Sequence, residues 1–247
     1  MLLRKMFSRK WAFSTLLVIA GTLVLIRLGI WQLDRLDTRR ADNAHFVEMQ
    51  SMSPLDLNSQ APEGLAETEY RRVKVSGEYD FEYQIAVRNQ YYEGQLGYHL
   101  LTPLLFDGTA VLVDRGWIPA DGNAAPSDWR KYDEAEPVNV EGVIRLGQGK
   151  PAFGGVEDAL PADGSRLEIW NNADVARVAD QLPYPLLPIY IQPNAEPDDA
   201  TPPVPSVSEF DLTEGPHFGY AVQWFTFAAL LFFGYPYFLR KQDLQNQ

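Results

Sequence analysis

His217-Phe-Gly-Tyr-Ala-Val-Gln-Trp-Phe-Thr-Phe-Ala-Ala-Leu-Leu-Phe-Phe-Gly-Tyr-Pro-Tyr-Phe-Leu239 carries no charged side chain after His217 and is followed at once by Arg240-Lys241. A helix rises about 1.5 Å per residue, so roughly 20 apolar residues cross a hydrocarbon core about 30 Å thick. Tyr220 and Trp224 stand near one end and Tyr235 and Tyr237 near the other, where amphipathic rings settle at the headgroup level. Gly234 and Pro236 are better tolerated in a membrane helix than in a soluble one. The stretch reads as a transmembrane helix over residues 216–239 with a cytoplasmic tail over 240–247; a buried core helix suits neither its length nor its basic stop.

A second apolar run sits near the other end. Residues 1–10 carry Arg4, Lys5, Arg9 and Lys10 with no acid, and residues 11–31, Trp11 to Trp31, form the second expected spanning helix. A cleavable signal peptide starts the same way but has a shorter apolar region ending in small residues. Arg27 snorkels outward along the last turn or acts as a charge inside the membrane. The basic flanks place both termini in the cytoplasm.

The formal charge is −12 and is concentrated between the two apolar runs. An acidic domain of this kind excludes nucleic acid, whose phosphates call for Lys and Arg. The chain has no cysteine, which excludes disulfides, iron–sulfur clusters, thiolate metal sites and covalent haem attachment. The segment before Trp11 is too short for an Arg- and Ser-rich mitochondrial leader, so a bacterial inner membrane is expected ahead of a mitochondrial one.

Residues 32–215 read as a mainly β extracytoplasmic domain. Beyond Trp31 the first helix continues into water, towards Met49. Tyr70–Tyr79 alternates in the period of a half-buried strand, and Tyr83–Asn89 follows as another. Tyr98–Phe106 and Ala110–Trp117 flank Asp107-Gly108, the signature of a type I′ hairpin. Gly116 is expected at a bulge or a close backbone approach. Val138–Leu146 and Leu186–Gln192 are further strands, with Asn172 as cap of a short helix over Ala173–Leu182. Pro193–Ser208 reads as an extended, proline-rich spacer. The fold class is that of an α+β membrane protein, two transmembrane helices flanking a mainly β domain.

Few residues carry chemistry. His217 shares a helix face with Tyr220, Ala221 and Trp224, at spacings of three, four and seven. The small Ala221 leaves space beside the imidazole, Trp224 offers a flat wall one turn deeper, and Trp31 can close the opposite side. An imidazole over an aromatic-lined gap is what an axial haem ligand requires; an interfacial His bonded to headgroups is the alternative. His99 reads as a structural histidine and His45 as a solvated one. Gly147-Gln-Gly-Lys150 lacks the full phosphate-loop spacing and reads as a turn. Arg115 and Trp117, alternate residues on a strand, form either part of a partner-binding face or a cation–π brace within the sheet. No nucleophile–His–carboxylate set has local support, so no enzyme is expected.

Three stretches in order resemble one family. Leu28-Gly-Ile-Trp-Gln-Leu-Asp-Arg-Leu36 is similar to the first signature of the Surfeit locus protein 1 family of cytochrome oxidase assembly factors. Gly97-Tyr-His-Leu-Leu-Thr-Pro-Leu104 with Val111-Leu-Val-Asp-Arg-Gly-Trp-Ile-Pro119 resembles its central signature, and Pro216-His-Phe-Gly-Tyr-Ala-Val-Gln-Trp-Phe-Thr-Phe-Ala228 its third. Asp37-Thr38 departs from the Trp-Lys often found after the first, and Thr213-Glu-Gly-Pro216 from an Asn-rich entrance to the third. The resemblance implies a non-enzymatic assembly factor for a haem–copper terminal oxidase, with haem a as cofactor, His217 as iron ligand, and the oxidase subunit and membrane lipid as partners. A cofactor-free scaffold that binds the nascent oxidase subunit through its β domain is the other reading.

Overall fold

The computed structural model describes residues 2–59, 63–134, 137–149, 157–195, 200–206 and 210–245. Lys150, the last residue of the expected turn, and parts of the proline-rich segment (196–199, 207–208) lie outside them. Two compact units emerge: one joins Met1–His45 to Phe210–Gln247, and the other is Phe46–Glu209.

In the first unit a short helix α1, Leu2–Met6, precedes α2, Ala12–Ser51. The return helix, His217–Gln245, is the last element of the chain. Both long helices have the length and composition to cross a membrane, and only 17% and 11% of their most apolar windows are buried. The core helix of a soluble protein would be mostly covered; here Leu16, Leu17, Leu230, Phe232 and Phe233 all face outwards. The two helices run antiparallel along one seam. A side chain at Gly29 would meet the Phe225 ring at 2.7 Å, and one at Gly21 would meet Leu231 at 3.2 Å. At the far end Thr15 Oγ1 donates to the Met6 carbonyl and lies 2.7 Å from the Tyr235 hydroxyl. With lipid tails as apolar as Leu, such small residues and buried hydroxyls hold a helix pair where the hydrophobic effect cannot.

Eight strands are found among the described residues of the second unit: β1 Leu55–Asp56, β2 Arg72–Tyr79, β3 Ile85–Tyr92, β4 Gln95–Phe106, β5 Thr109–Pro119, β6 Val138–Arg145, β7 Ile169–Trp170 and β8 Leu186–Pro193. Their order is β1-β2-β6-β8-β5-β4-β3-β7, with an additional pairing of β2 with β4 through Glu78↔Leu105 and Tyr79↔Leu104. That pairing closes β2, β6, β8, β5 and β4 into a five-stranded barrel, with β1 paired beside β2 and β3 with β7 continuing beyond β4. Val73 and Val75 on β2 alternate with exposed neighbours and join Leu104, Val111, Val113, Ile144, Ile189 and Ile191 in the barrel core. Each such side chain contributes about 1.5–3 kcal/mol of burial. A second cluster outside the barrel packs Trp170, Val175 and Val178 against Ile85, Val87, Leu101 and Leu112.

The Asp107-Gly108 hairpin is as expected: both residues have positive φ, 44° and 79°, and Phe106 pairs with Thr109. A second turn of the same kind, Glu93-Gly94 with φ 47° and 80°, carries β3 to Tyr92 and joins it to β4. The helix α3 is shorter than expected, Val175–Ala179, and its cap is Asp174 rather than Asn172, with the Asp174 carboxylate accepting from Arg177 N–H at 3.2 Å. The proline-rich segment is not a free spacer throughout. Val204 pairs with Trp117, N–H to O in both directions at 2.7 and 2.8 Å. The final helix, His217–Gln245, is α4.

Candidate functional site

The entrance to α4 is built from both ends of the chain. The segment before it is strapped to α2: Arg40 makes a bidentate bond to Glu214, 2.8 and 2.9 Å, and Asn43 Nδ2 donates to the Leu212 carbonyl at 2.7 Å. Arg40 holds the Glu214 carboxyl below its usual range, first by hydrogen bonding. Gly215 then turns the chain with φ +67°, a conformation in which a side chain is strained. A Cβ there would come into ordinary contact with the imidazole, 3.5 Å from Cδ2 and 3.6 Å from Nε2 of His217.

His217 Nδ1 lies 2.8 Å from Gln32 Oε1. An amide oxygen only accepts, so Nδ1 carries a proton and donates, and in the neutral ring Nε2 keeps the lone pair. A hydrogen bond of this kind to the far ring nitrogen fixes the orientation of an imidazole, as it does for a metal-ligating histidine. Gln32 is 9% exposed, buried in the seam three residues from Gly29. Sequence reasoning did not select it: a Gln beside an interfacial Trp reads as ordinary membrane-edge polarity.

The other expected residues fall as follows. Ala221 is 1% exposed and therefore sits in the helix–helix seam, where it allows close approach rather than lining open space. Trp224 is half-buried, edge-on to Phe227 at 6.2 Å. Tyr220 and Trp31 are exposed, at 48% and 46%. The seam thus brings His217 to Gln32, while Trp31 and Tyr220 present much of their surface outwards. The arrangement holds one imidazole by its Nδ1.

Arg115 and Trp117, expected as candidates for a partner-binding face, are both buried and do not share a face. Leu100 pairs with Gly116 and Leu101 with Asp114, so Arg115 is the extra residue of a bulge. The bulge turns its side chain away from that of Trp117. Gly116 has φ +121°, and a Cβ there would meet the Val204 carbonyl oxygen at 2.4 Å, as expected for a close approach. The Arg115 guanidinium stacks over Phe81 and Tyr79, 4.9 and 5.3 Å to the ring centroids. It donates to Gln84 Oε1 at 3.0 Å, to Glu134 Oε1 at 2.8 Å and to the Tyr132 carbonyl. The Trp117 ring instead packs 5.3 Å from Tyr92, with Nε1 donating to the Gln90 carbonyl at 3.3 Å. Both residues brace the sheet, and Arg115 does so through Phe81 and Tyr79, not through Trp117.

Two apolar antiparallel helices around a polar pair at their edge, joined through one closed β-barrel domain, define a membrane protein of the α+β class. The SURF1 family model matches residues 19–229, and the chain belongs to that family. It is 27% identical to a SURF1-like protein of Monosiga brevicollis, covering 88% of this chain and 84% of that one. It is 24% identical to Surfeit locus protein 1 of Arabidopsis thaliana, over 91% and 76% of the two chains. A SURF1-like protein of the bacterium Rickettsia bellii is 25% identical over 88% and 87%.

Proposed function

We propose that this protein is an assembly factor for a haem–copper terminal oxidase that holds haem a at the outer edge of the membrane, with His217 as axial ligand, and passes it to the catalytic subunit. The observation that carries this reading is the His217–Gln32 pair: 2.8 Å from Nδ1 to Oε1, with Nε2 on the side of Gly215. Bound haem supplies a hydrophobic, redox-active iron centre that must be kept out of water until its final ligands are in place. The chain's own part is to hold one imidazole by its far nitrogen and to offer Trp224 as a flat wall. A site with one strong ligand releases its cargo more readily than one with two, which suits delivery.

Membership of the SURF1 family supports the assembly role, and bacterial relatives suit a bacterial inner membrane. The bases at Arg4, Lys5, Arg9 and Lys10, with Arg240 and Lys241, favour cytoplasmic termini. A reporter fused after Gln247 should therefore behave as cytoplasmic, and an exported reporter would refute the orientation. Haem binding itself is tested by the absorption spectrum of detergent-purified protein from a host that makes haem a. A Soret band is expected. Its absence, with oxidase subunits still co-purifying, would favour the cofactor-free scaffold.

A further inference from the structure

The β-barrel unit contains a cavity of about 320 Å³ that plays no part in the haem reading, with His99, Asp114, Gln192 and Ser206 among its lining residues. His99 Nδ1 lies 2.9 and 3.1 Å from the two Asp114 carboxylate oxygens, so it donates there, and in the neutral ring Nε2 is the acceptor. The Ser206 hydroxyl donates to Asp114 Oδ2 at 3.2 Å, and Gly116 N–H to Oδ1 at 3.1 Å. The Gln192 amide nitrogen donates to the Ser206 carbonyl at 2.9 Å, which leaves its side-chain oxygen as a second acceptor. Among the described residues neither that oxygen nor His99 Nε2 has a hydrogen-bond partner.

Two familiar uses of such a cluster do not match this geometry. Ser206 Oγ lies 3.1 Å from Nδ1, whereas a hydrolase nucleophile must lie against the nitrogen that Asp does not occupy. A metal site needs more ligands than one imidazole, and among the described residues no group of three His, Cys, Asp or Glu can hold an ion. What remains is a pair of fixed acceptors in the field of a carboxylate, with no Lys or Arg among the lining residues and with Val87, Leu101 and Leu146 on the apolar side. A cationic nitrogen head is donor-only, and its methylene stem seeks apolar walls.

We infer that this cavity receives one protonated nitrogen group, an ammonium or a guanidinium carried on a short apolar stem. The test uses the full chain in detergent with ¹⁵N-labelled histidine; the protein has three histidines, and His99→Gln assigns the relevant ring. n-Butylammonium, methylguanidinium and tetramethylammonium are titrated while the His99 Nε2 resonance is followed. A saturable shift is expected with the first or the second, identifying an ammonium or a guanidinium head, and none with tetramethylammonium, which has the charge but no N–H. Asp114→Asn and Gln192→Leu should each weaken binding about 10-fold, because each removes one acceptor or its field. Gln192→Leu leaves the Asp114 bonds intact, so it remains informative if Asp114→Asn misfolds. The inference is overturned by the absence of any saturable shift, by an equal response to tetramethylammonium, by a response to Zn²⁺ alone, or by unaltered affinity in Gln192→Leu.

Discussion

At the scale of single residues, the chain places glycine where a side chain has no room. Gly116 combines φ +121° with a carbonyl oxygen 2.4 Å from where its Cβ would be, because Val204 pairs directly over the bulge. Gly116→Val should cost about 2–4 kcal/mol, from backbone strain and the displaced Val204 strand together. Urea unfolding of the solubilised protein reads this, and an unchanged midpoint would show that the bulge relaxes freely. The special position of Gly116 was legible in the sequence, since a Gly between Arg and Trp in a strand signals a bulge or a close approach. The direction of Arg115 was not. Period-two alternation put it beside Trp117, but the inserted residue reverses the face, and which residue is inserted depends on pairing with β4. Gln32 was equally hidden, because its role exists only once α4 returns to meet it.

At the scale of elements, the strand ends and turns were the most readable parts and the closure the least. Asp107-Gly108 announces its hairpin by composition alone. Glu93-Gly94 uses the same geometry, but a Glu at the first turn position is a weaker signal than Asp or Asn, and β3 was read as ending at Asn89. The barrel closes through only two residue pairs between β2 and β4, and no local pattern encodes a contact at that separation. That junction is where Arg115 acts: its guanidinium lies over Tyr79, the last residue of β2, and over Phe81 just beyond it. Arg115→Met retains much of the stem but leaves the Tyr132 carbonyl without that donor and Gln84 Oε1 with the Thr102 hydroxyl alone. A loss of about 2–4 kcal/mol is expected, measured by denaturant unfolding. The Glu134 arm adds little to that figure because Glu134 is half exposed to water. An Arg115→Met protein as stable as the parent would show that the guanidinium is not needed to hold the closure.

The same junction predicts a response to alkali. Burial, and next the Glu134 carboxylate, pushes the Tyr79 phenol up, while Arg115 opposes them more weakly. Burial likewise raises Tyr190, and burial with the hydrogen bond to Asp80 raises Tyr184. A phenol whose folded pKa lies above its unfolded value of about 10 binds its proton more tightly in the fold. Its contribution is complete below pH 10 and is lost as the pH rises beyond it. Tyr79→Phe should therefore move the alkaline unfolding limb to higher pH and leave the neutral plateau nearly unchanged, as followed by near-ultraviolet circular dichroism. A limb in the same place would assign alkaline unfolding to other groups.

At the scale of the whole molecule, the apolar runs and basic flanks were enough to read two spanning helices and a β domain between them, because hydrocarbon imposes its length and composition on any helix that crosses it. The first and third signature stretches meet in one helix seam, Gly29 against Phe225 and Gln32 against His217, and the central signature forms β4 and β5 with the bulge. Sequence could point to His217 but not to the partner that sets its tautomer. The measurement that bears most directly on the account is the haem-to-protein ratio of wild type and His217→Ala, expressed identically in a host that makes haem a and purified in the same detergent. Bound haem is expected in the wild type and a loss of about 90% or more in His217→Ala, with membrane insertion unchanged and a smaller loss in Trp224→Ala, which removes stacking area but no iron ligand. Equal ratios in wild type and His217→Ala would contradict this and move the search for a ligand to His99 and His45.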